Sequence, residues 1–91
     1  MRRLLHGDVV AVARVLMDRD PRRWPWGLCR MRREAHRAQL WRVRSGRQHP
    51  LWGDGSLASA ALRRHPRREP PLSDRRYRWA LIFVLAFAAG T

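Results

Sequence analysis

Helical periodicity is the feature of this sequence that most restricts its fold. Between positions 24 and 45, apolar side chains recur every three or four residues, the spacing that places them along one side of an α-helix. No segment alternates apolar and polar residues as a half-buried strand does. The pattern predicts a long helix over about 26–45 that ends at Gly46, and an all-α fold. The members of the stripe are Trp24, Leu28, Met31, Ala35 and Ala38.

A helix over about 9–19 is predicted before this long helix, with Asp8 as its N-terminal cap. Arg14 and Asp18 are four residues apart and are expected to form an ion pair on its polar side. Pro21 closes this helix, because the residue before a proline disfavours the helical conformation.

Two further helices are predicted after the long one. Asp54 or Ser56 is the expected cap of a short helix over about 57–64, and Ser73 is the expected cap of a last helix with Asp74 in its first turn. A chain of 91 residues can bury only a marginal core. We therefore expect one small domain over 1–91 with three to four helices. Residues 63–73 form its proline- and arginine-rich linker, and residues 74–91 form its apolar C-terminal helix.

The stretch HPLWGDGSL, residues 49–57, has two interpretations. In the first it is a structural corner between two helices, in which glycines supply a tight turn and Trp52 fills the core. In the second, the backbone N–H groups of Gly53, Gly55 and Ser56 form a nest for an anion. We favour the corner. Its expected residues are Pro50, Trp52, Gly53, Asp54, Gly55 and Ser56.

The charge balance points to acidic partners. The chain holds 20 basic residues, all arginine, against 7 acidic ones, and its formal net charge is +13. Such an excess attracts nucleic acid, anionic lipid headgroups or an acidic protein surface. On the long helix, four arginines project from the side opposite the apolar stripe. They are the predicted polyanion-binding residues: Arg30, Arg33, Arg37 and Arg44. The sequence contains no motif for base-specific recognition, so we expect binding to be non-specific.

Catalytic chemistry has little support in the sequence. The carboxylates are dispersed, and the histidines lack the spacing of metal ligands. Cys29 is the single cysteine and has no neighbouring base in the sequence. A nucleotide-binding P-loop pattern does not occur. We therefore predict a protein that is not an enzyme and that uses no catalytic residue, metal or cofactor.

The C-terminal stretch WALIFVLAFAAGT, residues 79–91, contains no charged side chain. As a helix it spans about 20 Å, which is too short to cross about 30 Å of bilayer hydrocarbon. The preceding RRYRW resembles an anchor at a membrane surface. Three interpretations stay open, namely a buried core helix, an oligomer interface and a membrane anchor. The predicted membrane or partner contacts are Tyr77, Trp79, Phe83 and Phe87.

These observations support two functional hypotheses. The first is a non-enzymatic, arginine-rich binding or adaptor module that contacts a polyanion or an acidic partner. The alternative is a small membrane-associated accessory subunit, docked through its apolar C-terminal helix, which can also join copies of the chain. Both predict a cytoplasmic protein, and the alternative places it at the inner face of the membrane.

Two stretches resemble a family of short bacterial proteins of unknown function. LLHGDVV, residues 4–10, resembles the start of these proteins, and SGRQHPLWGDGSL, residues 45–57, resembles their most specific segment. Ser45 stands where the family is expected to have threonine, and the C-terminal helix is more apolar here. The resemblance implies a small helical fold and no particular reaction, cofactor or partner.

Overall fold

The computed structural model of the protein describes residues 4–89, and this part of the chain is all-α, as the periodicity predicts. The predicted C-terminal helix extended to residue 91, and its last two positions lie outside the described residues. A 3-10 helix at Pro21–Arg23 joins the first two helices. The α-helices are α1 (His6–Leu16), α2 (Trp24–Ser45), α3 (Leu57–Leu62) and α4 (Arg75–Ala89).

Helix α1 begins three residues earlier than predicted, because Asp8 is not its cap. Asp8 lies in the first turn, and its carboxylate accepts a hydrogen bond from the backbone N–H of Leu5, 2.8 Å away. The second carboxylate oxygen accepts from the N–H of Ala58, 2.9 Å away in the first turn of α3. Asp8 is only 6% exposed. One buried carboxylate therefore holds two helix N-termini together, where the helix dipoles favour negative charge.

Distant side chains complete the C-terminal end of α1. The guanidinium of Arg76 donates to the carbonyl oxygens of Met17 and Arg19, at 2.7 and 2.8 Å. The indole N–H of Trp24 donates to the same Arg19 carbonyl, at 3.2 Å. Basic side chains commonly satisfy the last carbonyls of a helix in this way. Helix α4, which carries Arg76, is thereby tied to the end of α1.

The predicted ion pair between Arg14 and Asp18 does not form. Helix α1 ends at Leu16, so the two residues are not on one continuous helix. The Arg14 Nε donates instead to the carbonyl oxygen of Arg67, 2.8 Å away, and Asp18 pairs with the Arg67 guanidinium. Both interactions fasten the proline- and arginine-rich linker to α1.

The long helix α2 follows the sequence prediction closely. It starts two residues earlier than predicted, with Pro25 in its first turn, where a proline costs no hydrogen bond. It ends at Gly46, which adopts a left-handed conformation with φ of 73°. All five members of the predicted apolar stripe are buried.

Helix α1 is the centre of the core. It packs against α3 and α4 and, less extensively, against α2, while α3 also packs on α2. Small side chains on α3 let the backbones approach closely, since Ala60 and Ala61 are fully buried beside Leu57. Helix α4 contributes Tyr77, Ala80 and Val84, which lie at helical spacing on one side of it.

The cap of α4 differs from the prediction by one residue. The carboxylate of Asp74 accepts a hydrogen bond from the backbone N–H of Tyr77, 2.9 Å away, and α4 begins at Arg75. Ser73 is therefore not the cap. A carboxylate at this position satisfies a free N–H group and complements the positive end of the helix dipole.

The prediction that Trp52 fills the core is wrong. Its ring stacks on the imidazole of His49, with 4.6 Å between centroids and 12° between planes. The pair lies outside the cluster of buried apolar residues. The largest fully buried side chain is that of Tyr77, at 1% exposure. A tyrosine that the sequence suggested for the surface is thus fully buried in the core.

Replacing Asp8 should destabilise the fold more than replacing an exposed capping carboxylate. Asp8→Ala leaves two backbone N–H groups without their acceptor, so we expect a loss of about 2–4 kcal/mol in the free energy of unfolding. The matched control is Asp20→Ala, which removes one exposed bond to Arg22 N–H and should cost about 1 kcal/mol. Urea denaturation followed by circular dichroism measures both. Equal losses for the two variants would show that the buried Asp8 bridge stabilises the fold no more than an exposed cap does.

Replacing Tyr77 should lower the free energy of unfolding more than replacing Trp52 does in the same assay. Tyr77→Ala empties a core position and should cost about 3–5 kcal/mol. Trp52→Ala removes a stacking contact outside the core, so we expect about 1–2 kcal/mol. If Trp52→Ala proves the more damaging change, the assignment of the core is wrong.

Candidate functional site

The four predicted polyanion-binding residues lie on the solvent-facing side of α2. Arg30, Arg33, Arg37 and Arg44 are all exposed, and helical geometry places them within about 60° of one another around the axis. We call these four residues the arginine face. Leu40 and Trp41 beside it are each 47% exposed. The surface therefore combines guanidinium groups with apolar and aromatic area.

The only carboxylate of α2 does not neutralise this face. Glu34 forms two hydrogen bonds of 2.7 Å with Arg64, just beyond α3, and the two side chains are 12% and 15% exposed. Arg30 lies 4.0 Å from the same carboxylate, with 79% of its side chain exposed. Burial lowers the pKa of Arg19, and repulsion from Arg64 and Arg30 lowers it further. Several guanidinium groups thus share the one carboxylate.

The other carboxylates are engaged as well. The chain has seven, and each has a partner within the fold. Four accept backbone N–H groups at helix starts or turns, namely Asp8, Asp20, Asp54 and Asp74. The remaining three interact with side chains: Asp18 pairs with Arg67, Glu34 pairs with Arg64, and Glu69 lies close to the Tyr77 phenol.

Two glycines of the corner pack against neighbouring helices. Gly53 and Gly55 have φ of 74° and 91°, which other residues rarely adopt. A Cβ on Gly53 would lie 2.8 Å from Ser59 of α3, and one on Gly55 would lie 3.0 Å from the backbone of Gln39 on α2. The turn therefore brings the start of α3 against the middle of α2. Pro50 precedes it on the exposed surface.

Two of the three N–H groups suggested as an anion nest already have partners within the chain. Gly53 N–H donates to the His49 carbonyl at 3.1 Å, and Ser56 N–H donates to the Asp54 carboxylate at 2.9 Å. Of the two predicted caps of α3, Ser56 is the one that forms, since its hydroxyl accepts from Ser59 N–H, and Asp8 accepts from Ala58 N–H. An external anion would have to displace these internal acceptors, which argues against the nest.

Sequence reasoning missed His49, which organises the corner. Its Nδ1 accepts from the N–H groups of Leu51 and Trp52, at 3.0 and 3.2 Å. Its ring lies between two tryptophans, stacked on Trp52 and edge-on to Trp41 at 5.4 Å. A histidine directly before Pro50 and three residues before a tryptophan was the available signal, but only the folded turn shows which ring it meets.

Tyr77 is not available as a membrane or partner contact. Its side chain is buried within the fold. Burial raises the pKa of its phenol, and the nearby Glu69 carboxylate raises that pKa further. The sequence prediction failed here because Tyr77 lies three and seven residues before Ala80 and Val84, on the side of α4 that meets α1.

The other three predicted contacts divide between two sides of α4. Phe83 and Phe87 are half-buried, with Phe83 packed on Trp24 at 5.8 Å between centroids. Trp79 is 54% exposed. Ile82 and Leu85 follow it along the helix, with exposures of 62% and 55%. We call Trp79, Ile82 and Leu85 the apolar stripe of α4. Arg75 and Arg78, both exposed, precede and flank it.

The described part of the chain offers no support for two other kinds of site. Within residues 4–89, no helix has both the length and the apolarity that crossing a bilayer requires. In the same residues, no three histidine, cysteine, aspartate or glutamate side chains are grouped so that they could hold a metal ion.

Comparison with known proteins assigns the chain to a family. No curated protein and no solved structure shows significant similarity to it. One family model, described as Domain of unknown function (DUF7742), matches residues 2–88. That span covers nearly the whole chain and agrees with the resemblance of its sequence to a family of proteins of unknown function. The protein is therefore a member of the DUF7742 family.

Proposed function

We propose that this protein is a non-enzymatic binding module that contacts polyanions through the arginine face of α2. The observation that carries the proposal is the orientation of Glu34. This single carboxylate of α2 is paired with Arg64, so the exposed arginines have no acidic partner of comparable strength. A phosphate backbone supplies the missing negative charge. Because the seven carboxylates serve capping and pairing, the proposal assigns the chain no catalytic group.

The length of the face suits a nucleic-acid backbone. Arg30 and Arg44 are separated by about 21 Å along the helix axis, at about 1.5 Å per residue. Phosphates on one strand of a duplex follow at about 3.4 Å along its axis. The arginine face is therefore long enough to lie along several phosphates. Its guanidinium groups can contact these phosphates without reading base edges. The proposal is therefore non-specific binding, with an acidic protein surface as the competing partner.

Duplex binding should be steeply salt-dependent. Four to six phosphate contacts give a log–log slope of the affinity against salt of about −4 to −5. Changing Arg30, Arg33, Arg37 and Arg44 together to Gln should reduce the magnitude of that slope by about 3 or more. Fluorescence anisotropy with a labelled duplex at several salt concentrations measures both values.

A control of equal charge makes this test specific. Changing Arg22, Arg23, Arg63 and Arg68 to Gln removes four charges from exposed positions outside α2 and should leave most of the slope in place. If both quadruple variants lower the slope equally, net charge governs binding and the arginine face has no special role. Strong dependence on base sequence would also contradict the proposal.

A second candidate function rests on the apolar stripe of α4. Trp79, Ile82 and Leu85 are each more than half exposed, beside Arg75 and Arg78. Aromatic and aliphatic side chains flanked by arginines suit the interface of an anionic bilayer. A second copy of the chain fits less well, because each copy carries a charge of +13 and uses its carboxylates internally. The alternative is therefore a cytoplasmic protein held at the inner face of the membrane.

Vesicle binding tests this alternative. The protein should sediment with vesicles of phosphatidylglycerol and phosphatidylcholine, and much less with phosphatidylcholine alone. Ile82→Ser with Leu85→Ser should weaken binding by at least about tenfold, because two large apolar side chains lose their burial. The control pair Val43→Ser and Leu51→Ser alters exposed apolar residues elsewhere and should have little effect. Self-association that is lost in the α4 pair would show a protein interface instead.

A further inference from the structure

A shallow, open groove runs along one side of α2. Its volume is about 410 Å3, within the range of roughly 300–1,000 Å3 seen for small-molecule sites. Arg32 locates it in the fold, because its guanidinium lies 5.2 Å from the centroid of the Phe87 ring on α4. The described residues of α2 that line it are Cys29, Arg32, Arg33, His36 and Arg37. We call this the α2 groove.

Positive charge is concentrated along the described lining of the α2 groove, which contains no acidic side chain. Arg32, Arg33 and Arg37 all line it, and none of the seven acidic side chains does. Arg33 and Arg37 are four residues apart on one helix, an arrangement in which like charges repel. Glu34 is held by Arg64 on another side of α2. A bound anion would relieve this repulsion.

Arg32 is placed more firmly than an arginine on an open surface. It is half-buried, and its position over the Phe87 ring is a cation–π contact. Restricting a guanidinium before binding lowers the entropy lost when it meets a ligand. Its planar set of donors can still form paired hydrogen bonds to phosphate oxygens.

We propose that the α2 groove is a binding site for a phosphate group. A compact anion with several oxygens matches three guanidinium groups that line one groove. The inference rests on the proposed function and deepens it, since Arg33 and Arg37 belong to both the groove and the arginine face. Arg32 belongs to the groove alone, and Arg44 belongs to the arginine face alone. Free phosphate compounds and the phosphorylated end of a nucleic acid present the same chemistry.

Cys29 gives a local readout, because it is the single cysteine of the chain and lines the groove. At constant ionic strength, pyrophosphate should slow alkylation of Cys29 by iodoacetamide in a saturable manner. Arg32→Gln should weaken this protection by about tenfold or more, since a charge-assisted hydrogen bond is lost. Arg44→Gln on the same helix is the control and should leave the protection unchanged.

Duplex binding by the same two variants separates this inference from the proposed function. Arg32→Gln should keep the salt slope for a duplex, whereas Arg44→Gln should reduce its magnitude by about 1. An oligonucleotide with a 5′-phosphate that protects Cys29 better than its 5′-hydroxyl counterpart would assign the site to nucleic-acid ends. Protection by pyrophosphate alone would assign it to small phosphate compounds.

The inference is overturned if neither pyrophosphate nor the phosphorylated oligonucleotide protects Cys29 at matched ionic strength, or if Arg32→Gln and Arg44→Gln weaken protection equally. If iodoacetamide does not react with Cys29 in the free protein, a phosphorus NMR titration of pyrophosphate replaces it. Shifts that saturate with the parent and weaken about tenfold with Arg32→Gln support the site. The site is rejected if pyrophosphate shows no shift with the parent protein, or if Arg32→Gln gives the same shifts as the parent.

Discussion

The buried carboxylate of Asp8 is the interaction on which the arrangement of the helices depends. It satisfies the N–H of Leu5 at the start of α1 and the N–H of Ala58, which is 50 residues away in sequence, at the start of α3. A six-residue helix such as α3 has little stability of its own. Fixing its first turn to α1 also fixes the glycine corner, because Gly53 and Gly55 pack on α3 and α2. The relative position of three helices therefore follows from one side chain.

The same use of acidic side chains determines the character of the surface. Asp8 and the other six carboxylates cap helices, close turns or interact with neighbouring side chains, so all seven are engaged within the fold. Helix α2 shows the effect most clearly, with six arginines and one carboxylate, and that carboxylate is held by Arg64. Twenty arginines against these seven carboxylates leave the protein with a net charge of +13. The polyanion-binding proposal rests on this excess and on the internal use of the carboxylates.

The sequence predicts the structural features that depend on local residue spacing. It fails for the features that depend on contacts between residues far apart in the chain. The stripe from Trp24 to Ala38 and the stop at Gly46 place α2 correctly, because periodicity and glycine conformation are local properties. Asp8 was assigned as a cap, since nothing nearby reveals its bond to Ala58. Trp52 was assigned to the core from its size alone, although His49 is its main partner. The exposure of the arginine face was predictable, whereas the placement of Arg32 in the groove was not, because it depends on contact with Phe87 of α4.

Helix α4 shows how a segment that is apolar on all sides can serve three purposes. Tyr77, Ala80 and Val84 bury one side against α1, and Arg76 fastens the helix by bonds to the carbonyls at the end of α1. A second side, with Phe83 and Phe87, contacts Trp24 and Arg32 of α2 and so positions a guanidinium of the groove. Only the third side is left to solvent. A helix with fewer apolar residues would satisfy the core, but it could not also hold Arg32 in place and present a stripe for docking.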